Sequence, residues 1–264
     1  MRSSQFKTAL QGSGTSQAGL YALERLAQSN SRLRQTIVNV ICAYLRMPFT
    51  LPATARKPDP ADIGWQEREV RLTAQAILAA HLQPGPDGQH QLETFWAGID
   101  LDLTGATLIN LDLGHCRIRA GKFTDAEFAG FTGLAGAKFG GATDFVRATF
   151  DGDVWFGQAE FAGSSRFGAA FAYAKFNGSA RFDGAEFAGN ASFARAKFAG
   201  NTEFTRAKFA ANTRFDGAEF AGNAWFDGAR FDLGVPPVIA QLLLADTAEP
   251  ADEDGGVDRP DVGP

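Results

Sequence analysis

Large apolar residues return every five or six positions from about residue 98 to residue 231. In the stretch ARFDGAEFAGNASFARAKFAGNTEFTRAKF, a small residue stands two positions before each phenylalanine, as Ala185 does before Phe187. Side chains two positions apart lie on the same face of an extended strand, and a recurrence of five is too short for a helix pair or a hairpin. The pattern therefore predicts a coil of short strands separated by corners, with the large and small residues pointing inward.

One column of large side chains forms the predicted core ladder. Its members are Leu103, Leu108, Leu113, Ile118, Phe123, Phe128, Phe139, Phe145, Phe150, Phe156, Phe161, Phe167, Phe176, Phe182, Phe187, Phe193, Phe198, Phe204, Phe209, Phe215, Phe220, Phe226 and Phe231. Four sides close a coil of about 20 to 22 residues, and coils stacked at about 4.8 Å give about six coils in a rod about 30 Å long. The register slips at residues 133–134 and 167–171, where we expect a small loop or bulge.

The runs AEF and AKF within this ladder resemble the Phe-rich branch of the pentapeptide-repeat family. The resemblance implies a right-handed quadrilateral parallel β-helix. The sequence departs from a strict five-residue period, because many sides have six residues with an asparagine in the corner. Asparagine tolerates a left-handed backbone, so bulged corners are predicted, with Asn190 stacked over Asn212 and Asn201 over Asn223.

The chain is predicted to contain five units. They are a flexible N-terminus at 1–15, a helical module at 16–94 with a Pro-rich linker at 48–62, the β-helix at 95–232, a C-terminal capping helix at 233–246 and a disordered acidic tail at 247–264. Helical spacing predicts Leu26 and Val40 on the apolar sides of the first two helices. The C-terminal helix is predicted to begin at Pro237 and to have an apolar stripe that includes Leu243. The stretches GLYALERLAQ and TIVNVICAYLR resemble a helical module of some bacterial members of the family. This module either caps the first coil, which Phe95, Trp96 and Ile99 would meet, or recruits a partner, and the sequence leaves both open.

The negative charge of the chain is concentrated in its tail. The net charge is −5, and the tail from Asp246 onward holds seven acidic residues and one basic residue. Within the coil, outward residues alternate in sign. The predicted ion pairs between neighbouring coils are Glu186 with Lys208, Lys197 with Glu219, and Arg181 with Glu203. The resemblance implies one alternative function, a DNA-mimicking modulator or protector of DNA gyrase, but mimicry needs a strongly negative face. The nearly neutral charge of the coil disfavours this function. The coil also has no basic face, so direct nucleic-acid binding is not expected.

The sequence offers no catalytic, cofactor-binding or metal-binding constellation. His81, His90 and His115 are scattered without the spacing of a metal site or a catalytic triad, so a non-enzymatic protein without a cofactor is predicted. Trp155 and Trp225 are the candidate surface contacts, because they occupy outward positions where most neighbours are charged. Each tryptophan would either anchor an interface or lie flat across neighbouring coils.

A cytoplasmic protein is expected. The longest apolar run, TIVNVICAYL, has about ten residues where a membrane span needs about 20, and no signal peptide is recognisable at the N-terminus. Cys42 and Cys116 are predicted to be separate buried thiols, which suits a reducing compartment. We therefore expect no integral membrane span and a rigid protein-interaction scaffold for unknown protein partners. The resemblance also implies a homodimer through one end of the rod, which the C-terminal helix could equally prevent.

Overall fold

The computed structural model describes residues 13–52, 62–85, 93–163 and 168–246. These residues contain four α-helices, one 3-10 helix and 23 short strands. The acidic tail, Phe167, and parts of the predicted N-terminus and Pro-rich linker lie outside the described residues.

Three α-helices form the N-terminal module. They are α1 (Ser13–Ser29), α2 (Arg34–Leu45) and α3 (Ile63–Leu82), and a 3-10 helix at Ser31–Leu33 separates the first two. Asp62 caps α3, because its side chain accepts a hydrogen bond from the backbone amide of Gly64 at 2.8 Å. The three helices pack on one another through one shared apolar core.

The apolar sides of these helices differ in part from the sequence prediction. Leu26 of α1 and Val40 of α2, both expected to face the core, are 46% and 42% exposed. In α2 the buried stripe runs through Val38 and Cys42 in addition to Ile37 and Ile41. The prediction for Val40 was wrong because α2 packs on the helices and on the first coil, which rotates its buried side away from Val40.

The strands form four parallel sheets, and each sheet holds one side of successive coils. The first sheet contains β1 (Asp100–Asp102), β4 (Ala120–Lys122), β8 (Thr143–Asp144), β12 (Ala169–Ala170), β16 (Ala191–Ser192) and β20 (Thr213–Arg214). The second contains β2 (Thr107–Ile109), β5 (Glu127–Ala129), β9 (Thr149–Phe150), β13 (Lys175–Phe176), β17 (Lys197–Phe198) and β21 (Glu219–Phe220).

The two remaining sheets follow the same order. The third contains β3 (Arg117–Ile118), β7 (Lys138–Phe139), β11 (Glu160–Phe161), β15 (Glu186–Phe187), β19 (Lys208–Phe209) and β23 (Arg230–Phe231). The fourth contains β6 (Thr132–Gly133), β10 (Val154–Trp155), β14 (Ala180–Arg181), β18 (Thr202–Glu203) and β22 (Ala224–Trp225). An isolated bridge from Asp112 to Gly133 extends this fourth sheet by one coil. The predicted parallel β-solenoid of about six coils is confirmed, whereas its handedness stays a prediction.

The corners of the coil use two kinds of turn. In one kind, the amide of Ala196 donates to the carbonyl oxygen of Phe193 at 3.0 Å, and Arg195 between them has φ of 56°. A positive φ at the third position of a four-residue turn is characteristic of a type II turn. In the other kind, the Asn190 side-chain oxygen accepts from the backbone amide of Asn212 at 3.2 Å.

The corner asparagines therefore stack as predicted but by a different mechanism. Asn201 likewise accepts from the backbone of Asn223 at 3.2 Å. Neither ladder uses a left-handed asparagine, since the positive φ values fall on the other corner, as at Arg195 and Arg206. Each asparagine instead binds the backbone of the next coil, so it pins two coils together.

The core of the coil consists of stacked aromatic rings. Phe187 and Phe209 stack at 4.8 Å with an angle of 1° between their planes, and Phe182 and Phe204 stack at 4.7 Å. Rings from different sheets meet edge to face, as Phe182 and Phe193 do at 5.4 Å. Parallel stacking along the axis and edge contacts across it fill most of the interior, and aromatic pairs favour offset-stacked and edge-to-face arrangements.

The two register slips have separate outcomes. Leu134 is fully buried, and its neighbours Thr132 and Gly133 pair with Val154 and Trp155, so it belongs to the ladder as well. Neighbouring strands pair 22 residues apart in regular coils, but 26 residues apart across residues 164–167. Because of these four extra residues, Phe171 stacks between Phe145 and Phe193, and Phe167, which was predicted for the ladder, lies outside the described residues.

The helical module covers the open edge of the first coil. Trp96 and Ile99 are buried at this junction, and Phe95 is 6% exposed. The Gln35 side chain of α2 donates to the carbonyl oxygen of Asp100 and accepts from its amide, both at 2.9 Å. Helix side chains thus replace the backbone partner that a preceding coil would supply.

Arg71 of α3 ties the end of α2 to the module, and its side chain is fully buried. It donates to the carbonyl oxygens of Leu45 and Met47 at 2.9 and 2.7 Å and to Glu67 at 3.0 Å. The two carbonyl groups lie at the end of α2, where the helix itself supplies no donor. Each of the three guanidinium nitrogens of Arg71 therefore has a hydrogen-bond partner, as a buried charge requires.

A fourth α-helix, α4 (Pro237–Asp246), follows the last coil and begins at Pro237 as predicted. Ile239 is fully buried, and Val238 and Leu242 pack partly against the core. Leu243, expected on the same apolar stripe, is 42% exposed. The last coil is less covered than the others, since Phe220 is only half-buried there.

Candidate functional site

The outward side chains of each sheet form straight columns, because coils pair residue by residue. The three predicted ion pairs between coils are confirmed. Lys208 lies 2.6 Å from Glu186, Lys197 lies 2.9 Å from Glu219, and Arg181 lies 3.1 Å from Glu203. Such exposed pairs contribute little to stability, so the columns are best understood as solvated surface.

The fourth sheet carries a different column. Its outward residues, from the first coil to the last, are Asp112, Gly133, Trp155, Arg181, Glu203 and Trp225. We call this column the tryptophan face, together with the corner residues beside it, Phe131, Asp153, Asp183, Arg206 and Asp227. It brings both predicted contact residues, Trp155 and Trp225, into one line.

Trp155 is 43% exposed and contacts two side chains of the same face. The guanidinium of Arg181, one coil further on, lies 5.5 Å from its ring centroid. The ring of Phe131 meets it edge to face at 5.1 Å and is itself 39% exposed. Trp155 therefore forms part of an exposed aromatic cluster and keeps a large accessible surface.

Trp225 lies in the last coil and is 38% exposed. Its backbone carbonyl accepts from the amide of Phe204 at 2.7 Å, which fixes its position on the sheet. Among the residues that the structure describes, no lysine or arginine is placed over its ring as Arg181 is over Trp155. The stack ends at this coil, so no further coil can supply such a side chain.

The tryptophan face has an excess of acidic side chains. Its carboxylates are Asp112 and Glu203 in the column and Asp153, Asp183 and Asp227 in the corners, and its cations are Arg181 in the column and Arg206 in a corner. By contrast, the outward column of the third sheet holds four cations and two carboxylates, namely Arg117, Lys138, Glu160, Glu186, Lys208 and Arg230. The tryptophan face is therefore net negative, whereas the outward column of the third sheet is net positive.

Sequence reasoning missed the surroundings of the tryptophans. Phe131 was outside the predicted ladder, and Arg181 was recognised only as a partner of Glu203. The spacing of 22 residues from Glu203 to Trp225 is visible in the sequence, but the 26-residue step from Trp155 to Arg181 depends on where the extra residues lie. Placing Trp155 in the same column therefore needed the structure.

Of the three histidines named in the sequence analysis, His90 lies outside the described residues, and the structure places His81 and His115 in different parts of the fold. His81 lies in the helical module, where it stacks on Trp96 at 3.8 Å, donates to the Thr94 carbonyl at 2.6 Å and lies 2.8 Å from Glu24. His115 occupies a corner of the first coil with φ of 57°. Within the described part of the chain, no three His, Cys, Asp or Glu side chains are grouped to hold a metal ion.

Burial determines the chemistry of both cysteines, which are free and buried. Desolvation raises the pKa of the Cys42 thiol to about 11 and that of Cys116 to about 12. The Cys116 thiol donates to the carbonyl oxygen of Ala79 at 3.7 Å, where α3 meets the first coil. Both thiols are therefore packing groups of the cap rather than nucleophiles.

Comparison with known proteins gives one match. Residues 123–170, 168–208 and 193–235 match a family model described as pentapeptide repeats in nine copies. No curated protein and no solved structure is significantly similar to the chain. In the part of the chain that the structure describes, no helix combines the length and the apolar character needed to cross a bilayer. The match falls on the stacked coils that carry the tryptophan face.

Proposed function

Because residues 123–235 make this chain a pentapeptide-repeat protein, we propose that its solenoid is a rigid, non-enzymatic scaffold for contact with another protein. The observation that carries this proposal is the exposure of Trp155 and Trp225 in one column of a single sheet. Tryptophan is enriched among the residues that dominate binding energy at protein interfaces. A column locked by backbone hydrogen bonds loses little entropy when a partner binds, so rigid presentation favours association.

The interior of the coil supports a structural role for the remaining phenylalanines. Their rings pack on one another, so the accessible chemistry of the rod lies in its outward columns. The proposal includes no cofactor and no catalytic residue. It places the protein in the cytoplasm, and the support is the presence of two free thiols, Cys42 and Cys116.

A capture experiment with matched variants tests the proposal. The full chain is immobilised as wild type, as the double variant Trp155→Ala with Trp225→Ala, and as Tyr173→Ala, and bound proteins are identified by mass spectrometry. Tyr173 is the control because it is 48% exposed but lies at a corner against Arg195. We expect a partner that the wild type and Tyr173→Ala retain and the double variant loses. Equal capture by all three baits would remove the tryptophan face from the proposal.

Modulation of DNA gyrase is the second candidate function. Its support is the excess of carboxylates on the tryptophan face, since DNA mimicry requires negative charge at regular spacing. The ion pairs of the other columns oppose it, as does Arg181 in the middle of this one. A supercoiling assay with the full chain distinguishes the two functions. Inhibition or protection of gyrase would favour gyrase modulation over the scaffold function.

Association of two chains through the C-terminal end of the rod is a further proposal. Leu233 and Leu244 are 73% and 71% exposed there, beside the half-buried last coil. Light scattering on the full chain, compared with Leu244→Glu, tests it. A monomer at all concentrations would contradict a homodimer.

A further inference from the structure

The last coil leaves a position on the tryptophan face that earlier coils fill. In the coil of Trp155, the guanidinium of Arg181 from the next coil lies over the indole at 5.5 Å. Glu203, one coil further, holds that guanidinium at 3.1 Å, and Asp183 lies 3.8 Å from it. The arrangement is an indole, a guanidinium and carboxylates in successive register positions.

Trp225 has the indole and the carboxylates but lies in the final coil. Glu203 is its register partner one coil below. Asp227 follows two positions after Trp225, the same offset at which Asp216 binds Arg214 at 2.8 Å. A cation over Trp225 would therefore lie near Asp227, whereas Glu203 lies on the preceding coil and is already paired with Arg181.

We infer that the tryptophan face binds a basic, extended segment of a partner protein, with one arginine or lysine over Trp225 and a second near Trp155. This inference rests on the scaffold function proposed above and specifies the chemistry of its partner. The charge of the face decides the occupant. With five carboxylates and two arginines, Arg181 and Arg206, in and beside the column, the face is net negative, so it attracts a cationic segment and repels an acidic one. Cation–π contacts and charge attraction act on the same side chains there.

The spacing of the tryptophans sets the spacing of the cations. Trp155 and Trp225 are three coils apart, or about 14 Å at the usual strand separation of about 4.8 Å. An extended chain advances about 3.3 Å per residue, and side chains an even number apart share a face. Basic residues at positions i and i+4 of the segment span about 13 Å and point the same way. The residue at i+2 lies between Arg181 and Glu203 and should be small and uncharged.

Fluorescence anisotropy with the full chain tests this inference. The probe is a labelled peptide with the core Arg-Gly-Ser-Gly-Arg, and one control peptide carries citrulline, a neutral isostere, in place of both arginines. A second control has its arginines three positions apart. We expect the arginine peptide to bind at least tenfold more tightly than the citrulline peptide, and the second control to bind more weakly than the probe.

Variants locate the binding on the rod. Trp225→Ala and Asp227→Asn should each weaken the arginine peptide about threefold, the size expected for one exposed cation–π or charge contact. Tyr173→Ala should leave it unchanged. Because Trp225→Ala alters no charge, general attraction to an acidic protein cannot explain its effect. Asp227→Asn tests the same position and keeps the indole. A similar loss of affinity in this variant therefore could not be caused by misfolding of Trp225→Ala.

Two results would overturn the inference. One is equal affinity for the arginine and citrulline peptides, and the other is unchanged affinity in both Trp225→Ala and Asp227→Asn. If either occurs while the double tryptophan variant still loses its captured partner, the scaffold function stands and the partner is not basic. If the double tryptophan variant also captures the same proteins as the wild type, the tryptophan face is not the contact surface, and the proposed scaffold function is contradicted as well.

Discussion

Gln75 of α3 pairs with the backbone of Ile109 in the first coil through two hydrogen bonds. Its side-chain nitrogen donates to the Ile109 carbonyl oxygen at 2.8 Å, and its side-chain oxygen accepts from the Ile109 amide at 2.9 Å. Gln35 makes the same pair of bonds with Asp100 on the neighbouring sheet. Two glutamines thus stand where the backbone of a further coil would be, and they end the solenoid without leaving its edge open.

Gln75→Leu should destabilise the protein by about 2 kcal/mol, because it leaves the buried amide and carbonyl of Ile109 without partners. Thermal or urea unfolding of the full chain measures the change. Gln17→Leu is the matched control, since the hydrogen bond of Gln17 to Thr73 is long, at 3.4 Å, and only partly buried. Equal loss of stability in both variants would show that the edge pairing of Gln75 is unimportant.

Two glycines in the coil should respond differently to alanine. A Cβ added at Gly200 would lie 2.5 Å from the carbonyl oxygen of Gly178 in the coil below. A Cβ at Gly217 would lie 3.3 Å from the flexible Arg195 side chain, which can shift, but the φ of Gly217, 66°, is left-handed. Gly200→Ala should cost about 2 to 3 kcal/mol by forcing two coils apart, whereas Gly217→Ala should cost about 1 kcal/mol in backbone strain.

Urea unfolding of the two variants beside the wild type measures this difference. A Gly217→Ala variant less stable than Gly200→Ala would contradict the close approach of the coils. Gly200 belongs to a corner ladder, and its members are Gly130, Gly152, Gly178, Gly200 and Gly222.

Thr202→Val should stabilise the protein by about 1 kcal/mol. The Thr202 hydroxyl is buried and has no hydrogen-bond partner within the described residues, and Val154 fills the equivalent slot two coils earlier. The control is Thr143→Val, because the Thr143 hydroxyl donates to the carbonyl oxygen of Gly141 at 3.4 Å. Differential scanning calorimetry should show a higher melting temperature for Thr202→Val alone, and a lower one would disprove the buried unpaired hydroxyl.

The two thiols should stay unreactive in the native protein at pH 8. Burial raises the pKa of Cys42 to about 11 and of Cys116 to about 12, so the reactive thiolate is scarce until the chain unfolds. The raised native pKa also means that each thiol favours the folded state at neutral pH. This contribution declines as pH rises from the ordinary thiol pKa, about 9, through the native value.

Reaction with a thiol-specific chromogenic reagent, with and without urea, measures this protection. Two thiols should react at once in urea and neither should react promptly in buffer. Prompt labelling of the native chain would show that the helical cap opens readily at α2 or α3.

The sequence by itself determined the coil. Phenylalanine at five- and six-residue steps, with a small residue two positions earlier, suits only a stack of short strands, because period-two alternation and frequent corners leave no room for helices. It also determined the ion pairs, such as Glu186 with Lys208, because they follow from the 22-residue repeat alone.

Only the tertiary structure decided the exceptions to the repeat. Phe171 joined the ladder, and Trp155 aligned with Trp225, because four extra residues shift the register by an amount that no local pattern fixes. Gln35 and Gln75 are ordinary polar residues in their helices, and they acquire a role only where docking brings each one to a strand edge. Local periodicity specifies what repeats, whereas the ends of a stack and its register breaks depend on contacts between residues far apart in the chain.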